Sequence, residues 1–422
     1  MGTERRAPRV LLERWFNAAL AAVDPARCMP PVLPEPGAGR SVVVGAGKAA
    51  ASMAAAVEAN YAGPLTGLVI VPYGHATATR CIEVREAGHP VPDEAGVAAT
   101  EELLDRLEGL GPDDQVLVLL SGGGSALLSA PAPPLTLAEK QATTRALLRS
   151  GAPIDAINTV RRHLSRVKGG RLAVHAHPAR VVTLLISDVP GDDPATIASG
   201  PTSADTSTPE DARRVLERYQ VPCEPSVAAA LEQVQPPPKP DDPRLRGVSC
   251  QVVAGAQAAL QAAAQAARAD GVTPLVLGDT LEGEAREVAR VLIGMGRSCR
   301  RGGAPVPPPC VLLSGGETSV TVRGAGRGGR NTELALAAAL AADGIPGFHL
   351  LSADTDGIDG SEDNAGALVD PATLARARTQ GVDAWAHLAE NDSYGFFEAV
   401  GGLLHTGPTL TNVNDFRALL VP

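Results

Sequence analysis

Aromatic residues are scarce in this chain: Phe, Trp and Tyr make up 3% of its 422 positions. Surfaces that bind single-stranded nucleic acid interleave basic side chains with aromatic ones, and that pattern is missing here. The formal net charge of −10 points the same way, since an acidic chain is a poor generic ligand for nucleic acid or an anionic membrane. It can still bind a small anion where a local site is basic. The six cysteines, Cys28, Cys81, Cys223, Cys250, Cys299 and Cys310, are scattered without a C-x-x-C pair. That excludes a zinc knuckle and a disulfide framework, and leaves reduced thiols that are expected to be mostly buried. No H-x-x-x-H or HExxH gathers His75, His89, His163 or His405 as metal ligands. Apolar runs such as LALAAALAA are too short to span a bilayer. The opening MGTERRAPRV carries charge with no apolar stretch after it, so a cytoplasmic location is expected and a secretory leader is not.

What is present is a repeated grammar of strand, glycine turn and helix. SVVVGAG leads into the Ala-rich KAAASMAAAVEAN, GLVIVPY is a further strand, and QVLVLL ends in SGGGSA. PDEAGVAATEELLDRLEGL is helical, with Pro and acids in its first turn. TLAEKQATTRALLRSG has a Thr cap and a Gly stop, and IDAINTVRRHLSRVKGGRLAVHA reads as two helices broken at Gly169–Gly170. Short apolar runs bounded by glycine and alternating with helices argue for parallel α/β sheets. A chain this long exceeds one hydrophobic core, so two domains are expected. QPPPKPDDPRLRG, with five prolines, reads as a stiff, solvated linker, which puts the domains at 1–240 and 241–422. Two echoes join the halves: VLLSGGGS with VLLSGGET, and VVVGAGKAA with QVVAGAQAA. Shared origin of two Rossmann-like domains and convergence on common turn grammar both account for them.

The stretch VVVGAGKAA resembles two nucleotide-binding turns and completes neither. A Walker A loop would need glycine at Val42 and a hydroxyl at Ala49. A dinucleotide fold would need an acid closing the next strand, where Tyr73 and Gly74 stand. What remains is Gly45 and Gly47, which let backbone approach an anion, a helix start, and the Lys48 ammonium. A tight turn bearing an exposed lysine would explain the same residues. In Ser121, Gly122, Gly123, Gly124 and Ser125, the glycines free N–H groups for an anion nest; the G-x-S-x-G elbow fails because Leu127 replaces its last glycine.

Asp188, Asp192 and Asp193 follow a predicted strand, at the end where α/β ligands sit. Carboxylates there suit Mg²⁺ or a base that takes a hydroxyl proton. Glu317, Arg323, Arg327, Arg330 and Asn331 lie on a loop with five glycines ahead of an Ala-Leu helix, as a phosphate or carboxylate clamp would. SADTDGIDGSEDNAG holds Asp354, Asp356, Asp359 and Asp363 but breaks EF-hand spacing, leaving a Mg²⁺-phosphate site as the better reading. The basic run TVRRHLSRVKGGR is a solvated helix face or a wall for an anionic substrate, through Arg161, Arg162 and Lys168. The inventory of nests, lysine, arginines and Asp loops suits phosphoryl transfer.

At this point the chain resembles the class II glycerate 2-kinases, the MOFRL family. The likeness rests on VVGAGKAAASMA, EAGHPVPDEAG, LLSGGGSALL, NTVRRHLSRVKGGRLA, ISDVPGDDPATIASGPT, LSGGETSVTVRGAGRGGRN, DTDGIDGSEDNAG and NDSYGFFEAVGGLLHTGPTLTNVNDFRALL, nearly the whole length. It implies two Rossmann-like three-layer α/β/α domains with mainly parallel sheets and the active site in the cleft between them. It also implies ATP- and Mg²⁺-dependent phosphorylation of D-glycerate at the 2-hydroxyl. Carried over by motif, Lys48, Asp188 and Arg330 are catalytic, and Asp188, Asp193 and Asp356 face the metal. Ser314, Gly315, Glu317, Asn331, Asn412 and Asn414 join the two glycine turns in binding substrate or nucleotide. Expected partners are these small molecules, with a homodimer allowed and neither nucleic acid nor membrane. The alternatives are an NAD(P)H-dependent hydroxypyruvate reductase and a non-catalytic nucleotide-binding module. Thr332 stands where the family often has Gln, Ser361-Glu362 replace a usual Pro-Thr, and Leu410 a usual Gly; the first and last are expected to affect substrate fit.

Overall fold

Short apolar runs closed by glycine form the inner strands of a sheet. In the computed structural model, which describes residues 7–343 and 345–422, the first such strands are β1 (Ser41–Ala46), β2 (Leu65–Pro72), β3 (Ile82–Ala87), β4 (Gln115–Leu120), β5 (Arg180–Ile186) and β6 (Val248–Ala254). They lie in the order β3-β2-β1-β4-β5-β6. The pairings β1–β2, β1–β4, β2–β3 and β4–β5 are parallel. Every residue of β1 and β4 is buried, as expected of strands covered on both faces. The order reverses between β1 and β4. That reversal is the switch point where open α/β sheets take ligands, at the carboxyl ends of the strands.

The remaining strands are β7 (Thr273–Gly278), β8 (Gly283–Glu284), β9 (Cys310–Ser314), β10 (Thr318–Ser319), β11 (His349–Asp354), β12 (Gly366–Val369), β13 (Leu403–Leu404) and β14 (Asp415–Val421). Six of them form a second sheet in the order β13-β12-β11-β14-β9-β7, while β8 and β10 pair apart from it. Parallel pairings predominate over the chain, but they concentrate in the first sheet. In the second, β7–β9 is parallel and the pairs β11–β12, β11–β14, β12–β13 and β14–β9 are antiparallel. The helix Arg330–Ala341, almost wholly buried, belongs to the core of this half with Phe396, Phe397 and Leu419.

The chain divides into two compact units, Pro25–Val253 and the chain up to Asp24 together with Ala254–Pro422. The expected boundary at 240 therefore moves to 253, and the amphipathic helix Pro8–Ala22 leaves the first unit for the second. There Arg14 pairs with Asp270, and Trp15 Nε1 donates to the same carboxylate at 3.0 Å. The proline-rich segment is no solvated linker. Pro237 and Pro238 are buried, Arg171 Nη2 donates to Gln235 O at 2.7 Å, and Asp205 N donates to Pro238 O at 3.1 Å. Its prolines close the first unit over Gly169 and Gly170, where a side chain would collide with Pro238 at 2.7 Å. The echo of VVVGAGKAA in QVVAGAQAA also dissolves: its strand is the edge of the first sheet, and its helix, Ala256–Ala269, belongs to the other unit. Among the described residues no helix is long and apolar enough to cross a membrane.

Candidate functional site

In the Pro25–Val253 unit, the loops after β1, β4 and β5 leave the same edge of the sheet. The first two are stitched together. Lys48 N donates to Gly122 O at 2.8 Å, Ser121 N to Ala46 O at 3.2 Å, and Ala49 N to Ser121 Oγ at 2.9 Å. Gly47 N donates to Ile70 O and Ala50 N to Gly47 O, both at 3.1 Å. The turn's donors are thus engaged inside the protein, which corrects the expectation of free N–H groups there. Gly45 and Gly47 are explained by approach of backbone to backbone: a Cβ would lie 2.1 Å from Leu119 O at the first and 2.2 Å from Ser121 Oγ at the second. Ser121, fully buried, likewise holds the turn and presents nothing outward.

The nest survives one step further along. The N–H groups of Gly122 and Gly123 find no acceptor among the described residues, and Gly123 has φ 82°. Consecutive N–H groups ending in a left-handed residue form an anion-binding concavity. A Cβ on Gly123 would lie 3.0 Å from the His89 ring and 3.6 Å from Lys48 Cγ, so both side chains pass beside the nest. Gly124 permits the turn to close against Ala46 O and Ala198. Ser125 Oγ is 2.8 Å from Ser199 Oγ. Half-buried Asp188 stands two residues past the end of β5. Asp193 accepts from Ala195 N at 3.1 Å and Thr196 Oγ1 at 2.9 Å, capping its own turn.

A cavity of about 270 Å³ opens next to Gly123 and Ser125 in this unit. Lys140, Arg145, Arg161 and Lys168 line it, with His89. Lys168 Nζ donates to Ser125 O at 2.7 Å and to Ser125 Oγ at 3.2 Å. Burial, then Lys140 and Arg161, push its ammonium well below the ordinary lysine range. Lys140 is 6% exposed, and among the described residues its Nζ has no hydrogen-bond partner. Burial and then Arg161 bring its pKa from 10.5 down to about 8. Sequence reasoning named Arg161 and Lys168 but missed Lys140, which sits on the helix Leu137–Arg149 capped by the Thr136–Glu139 box. The available signal was spacing: Lys140, Thr144 and Leu148 repeat at four residues along one face. Arg162 falls away from the wall, since its Nε donates to Asp205 at 2.9 Å.

In the other unit, Arg330 begins the helix that follows the glycine loop. Its Nε donates to Asp415 Oδ1 at 2.8 Å, Nη1 to Glu317 Oε1 at 2.6 Å and Nη2 to Asp354 Oδ2 at 2.7 Å. Burial opposes its charge, but Asp415, Asp354 and Glu317 outweigh that and raise its pKa. The clamp expected to neutralise phosphate is itself surrounded by three carboxylates. Arg417, buried beneath, donates to Gly315 O at 2.8 Å and pairs with the second oxygen of Asp415. Asn331 is fully buried, its Nδ2 donating to Asp415 Oδ1 and its Oδ1 accepting from Ser352 Oγ, each at 2.7 Å. It positions Asp415 and offers no face to a ligand, contrary to expectation. Ser314 is buried, and among the described residues its Oγ has no partner. A cavity of about 290 Å³ is lined by Gly328, Gly329 and Arg330. A larger one, about 490 Å³, lies beside Trp385; its Arg286 is held by Glu333, and it contains none of the expected residues.

Asp356 is buried and accepts from Ile358 N at 2.8 Å, while Thr409 N donates to Asp356 O at 2.9 Å. Asn412 Oδ1 accepts from Asn414 N at 3.2 Å, and Asn414 O accepts from Thr355 N at 3.0 Å, so the C-terminal loop clasps the T-D-G turn. Among the described residues no three His, Cys, Asp or Glu side chains gather as a metal cluster. The family departures also find places. Thr332 is fully buried and donates to Asp359 Oδ2 at 2.8 Å, so it closes the helix start and does not shape a substrate. Glu362 accepts from Arg327 Nε at 3.0 Å. Leu410 has φ 62°, a backbone made for the glycine it replaces.

Two family models match the sequence: a domain of unknown function, DUF4147, over residues 11–232, and the MOFRL family over residues 310–415. A D-glycerate 2-kinase of Thermotoga maritima is 43% identical, covering 94% of each chain. The chain belongs to the MOFRL-type glycerate kinase family. A crystal structure of a glycerate kinase from Thermotoga maritima superposes on this member with TM-score 0.89 at 40% identity, over 98% of this chain and 99% of that one. An Agrobacterium vitis protein named "Putative hydroxypyruvate reductase" is 52% identical over 98% of this chain and 94% of its own. Kinase and reductase names thus both attach to relatives of this glycerate kinase family member.

Proposed function

We propose that this chain transfers the γ-phosphoryl group of ATP to the 2-hydroxyl of D-glycerate, giving 2-phosphoglycerate and ADP. The observation that carries this reading is the switch point of the first sheet, where Lys48 and the Gly122–Gly123 nest flank the reversal and the Asp188 loop follows the next strand. Charge neutralisation and positioning supply most of the catalysis in phosphoryl transfer, and these groups provide both. In the proposed reaction, the acceptor oxygen bonds the γ-phosphorus and the bond from phosphorus to the β–γ bridging oxygen breaks. The hydroxyl proton passes to Asp188, and Lys48 balances charge on the transferring oxygens. Mg²⁺ usually binds through one or two carboxylates plus substrate phosphates, so exposed Asp193 of the same loop would serve as its protein ligand, without a three-carboxylate cage, while Asp188 takes the proton. Bound there, the ion would neutralise phosphate charge. Arg330 acts as a positioning residue, holding Asp354 and Asp415.

The reductase reading loses support at β2. After Pro72, Tyr73 and Gly74 occupy the place where a ribose-binding acid would close the strand. Two assays separate the readings. Incubated with ATP, Mg²⁺ and D-glycerate, the protein should produce 2-phosphoglycerate, identified by phosphorus NMR. Incubated with NADH and hydroxypyruvate, it should leave NADH unchanged. NADH oxidation with no glycerate-dependent ADP release would reverse the assignment.

A further inference from the structure

Four cationic side chains converge on one cavity that no carboxylate lines: Lys140, Arg145, Arg161 and Lys168. On neighbouring elements basic residues find acids, as Arg162 does with Asp205 and Arg166 with Glu101. Here they do not. Among the described residues neither Arg145 nor Arg161 has an ion pair, and the Lys168 ammonium donates only to Ser125. Lys140 is more than nine-tenths buried, and its ammonium has no acceptor among the described residues. An unpaired ammonium beside a second ammonium and a guanidinium is costly to bury, and a fold keeps such a group where something anionic enters.

We propose that this cavity receives the polyphosphate chain of the nucleotide, with Lys140 and Arg161 as binding residues, the first of them outside every family motif quoted above. This rests on the kinase reading above and decides which anion goes where. Charge favours a polyphosphate over the acceptor: a three-carbon hydroxy acid brings one negative charge, and the cavity gathers four basic side chains, two of them arginines. Size agrees, since about 270 Å³ approaches the lower end of pockets for drug-sized ligands, roughly 300–1,000 Å³, and exceeds the need of so small an acid. The rim agrees as well. Pro90, Val91, Pro92 and Leu148 are an apolar shelf, with Val91 and Leu148 exposed, and a nucleoside needs such a surface next to its phosphates. The cavity shares Gly123 and Ser125 with the nest loop beside Lys48, so a chain seated on the cations continues toward the proposed transfer point.

The test uses the full-length protein with Lys140→Met and Arg161→Gln, each checked by thermal unfolding. Lys140→Met removes an unpaired buried charge, so it should not lower the melting temperature. Titration with tripolyphosphate and with ATP, followed calorimetrically, should show affinity falling about tenfold or more in each variant, the loss of one charge-assisted contact. The KM for ATP should rise while that for D-glycerate holds. Unchanged tripolyphosphate affinity in folded variants would overturn the proposal. So would a rise confined to the KM for D-glycerate, which would give the cavity to the acceptor and leave the kinase reading intact. If the wild type binds tripolyphosphate in a Lys140-dependent way yet releases no ADP with D-glycerate, the anion site stands and the kinase reading falls.

Discussion

Replacing Lys140 with methionine should make the protein more stable at neutral pH, and the gain should shrink as pH rises. Burial takes the Lys140 pKa from 10.5 to about 8. The folded-state pKa is therefore depressed, and the unfolded chain binds the extra proton between the two values. Stability from this group is present above pH 10.5 and is lost as pH falls through about 8. At about 1.4 kcal/mol for each pH unit, the ammonium costs roughly 3 kcal/mol at pH 7. Methionine fills similar volume without the charge. Its gain corresponds to roughly 2–4 °C in melting temperature per kcal/mol for a unit of this size. Urea unfolding of both proteins at intervals from pH 7 to pH 10.5 reads the effect directly. The difference between the curves reports Lys140 together with the relief of Lys168, whose ammonium Lys140 helps push down. A difference constant across that range, or a variant less stable at pH 7, would refute the view that an unpaired ammonium is buried there. Saturating tripolyphosphate should raise wild-type stability more than that of the variant.

Three further outcomes are expected. Arg330→Ala takes one of two guanidinium partners from buried Asp415, which keeps Arg417, and removes the Arg330 contact from Asp354, which should cost about 3 kcal/mol and lower turnover, whereas Arg330→Lys recovers charge but not the three-way fork; denaturant unfolding and ADP release would compare them. Gly47→Ala, at φ 138° with Ser121 Oγ 2.2 Å from the new methyl, should yield insoluble protein or a loss of more than about 3 kcal/mol, and a soluble variant of wild-type stability would contradict the stitched-turn geometry. Leu410→Gly should relieve about 1 kcal/mol of left-handed strain and raise the melting temperature slightly, with the KM for D-glycerate unchanged if the residue has no part in substrate fit.

The first sheet was legible because its strands are short apolar runs closed by glycine, and local grammar suffices for those. The Thr136 cap was legible for the same reason, whereas the helix expected to run to Gly169–Gly170 already ends at His163. The second sheet was less so: runs such as HLLSAD and DFRALLV carry no mark of strand direction, which depends on how distant segments return. The proline-rich segment misled because composition reports stiffness, while burial of Pro237 and Pro238 depends on a partner some seventy residues earlier, Gly170. Arg330 looked like a bare clamp because its carboxylates come from Asp415, Asp354 and Glu317, remote in sequence. Lys140 was overlooked since a lysine on a capped helix ordinarily faces water.

The helix Pro8–Ala22 packs against Ala256–Ala269 within one unit, although all of Pro25–Val253 is made in between. On a ribosome adding roughly 5–20 residues per second, its partner emerges about 10–50 seconds later. During that interval the stripe of Leu12, Trp15, Phe16 and Ala19, later sealed, faces solvent or a chaperone. The nascent chain must therefore shelter its earliest greasy segment while an entire neighbour matures, making slow or stalled translation a hazard for assembly of the later half.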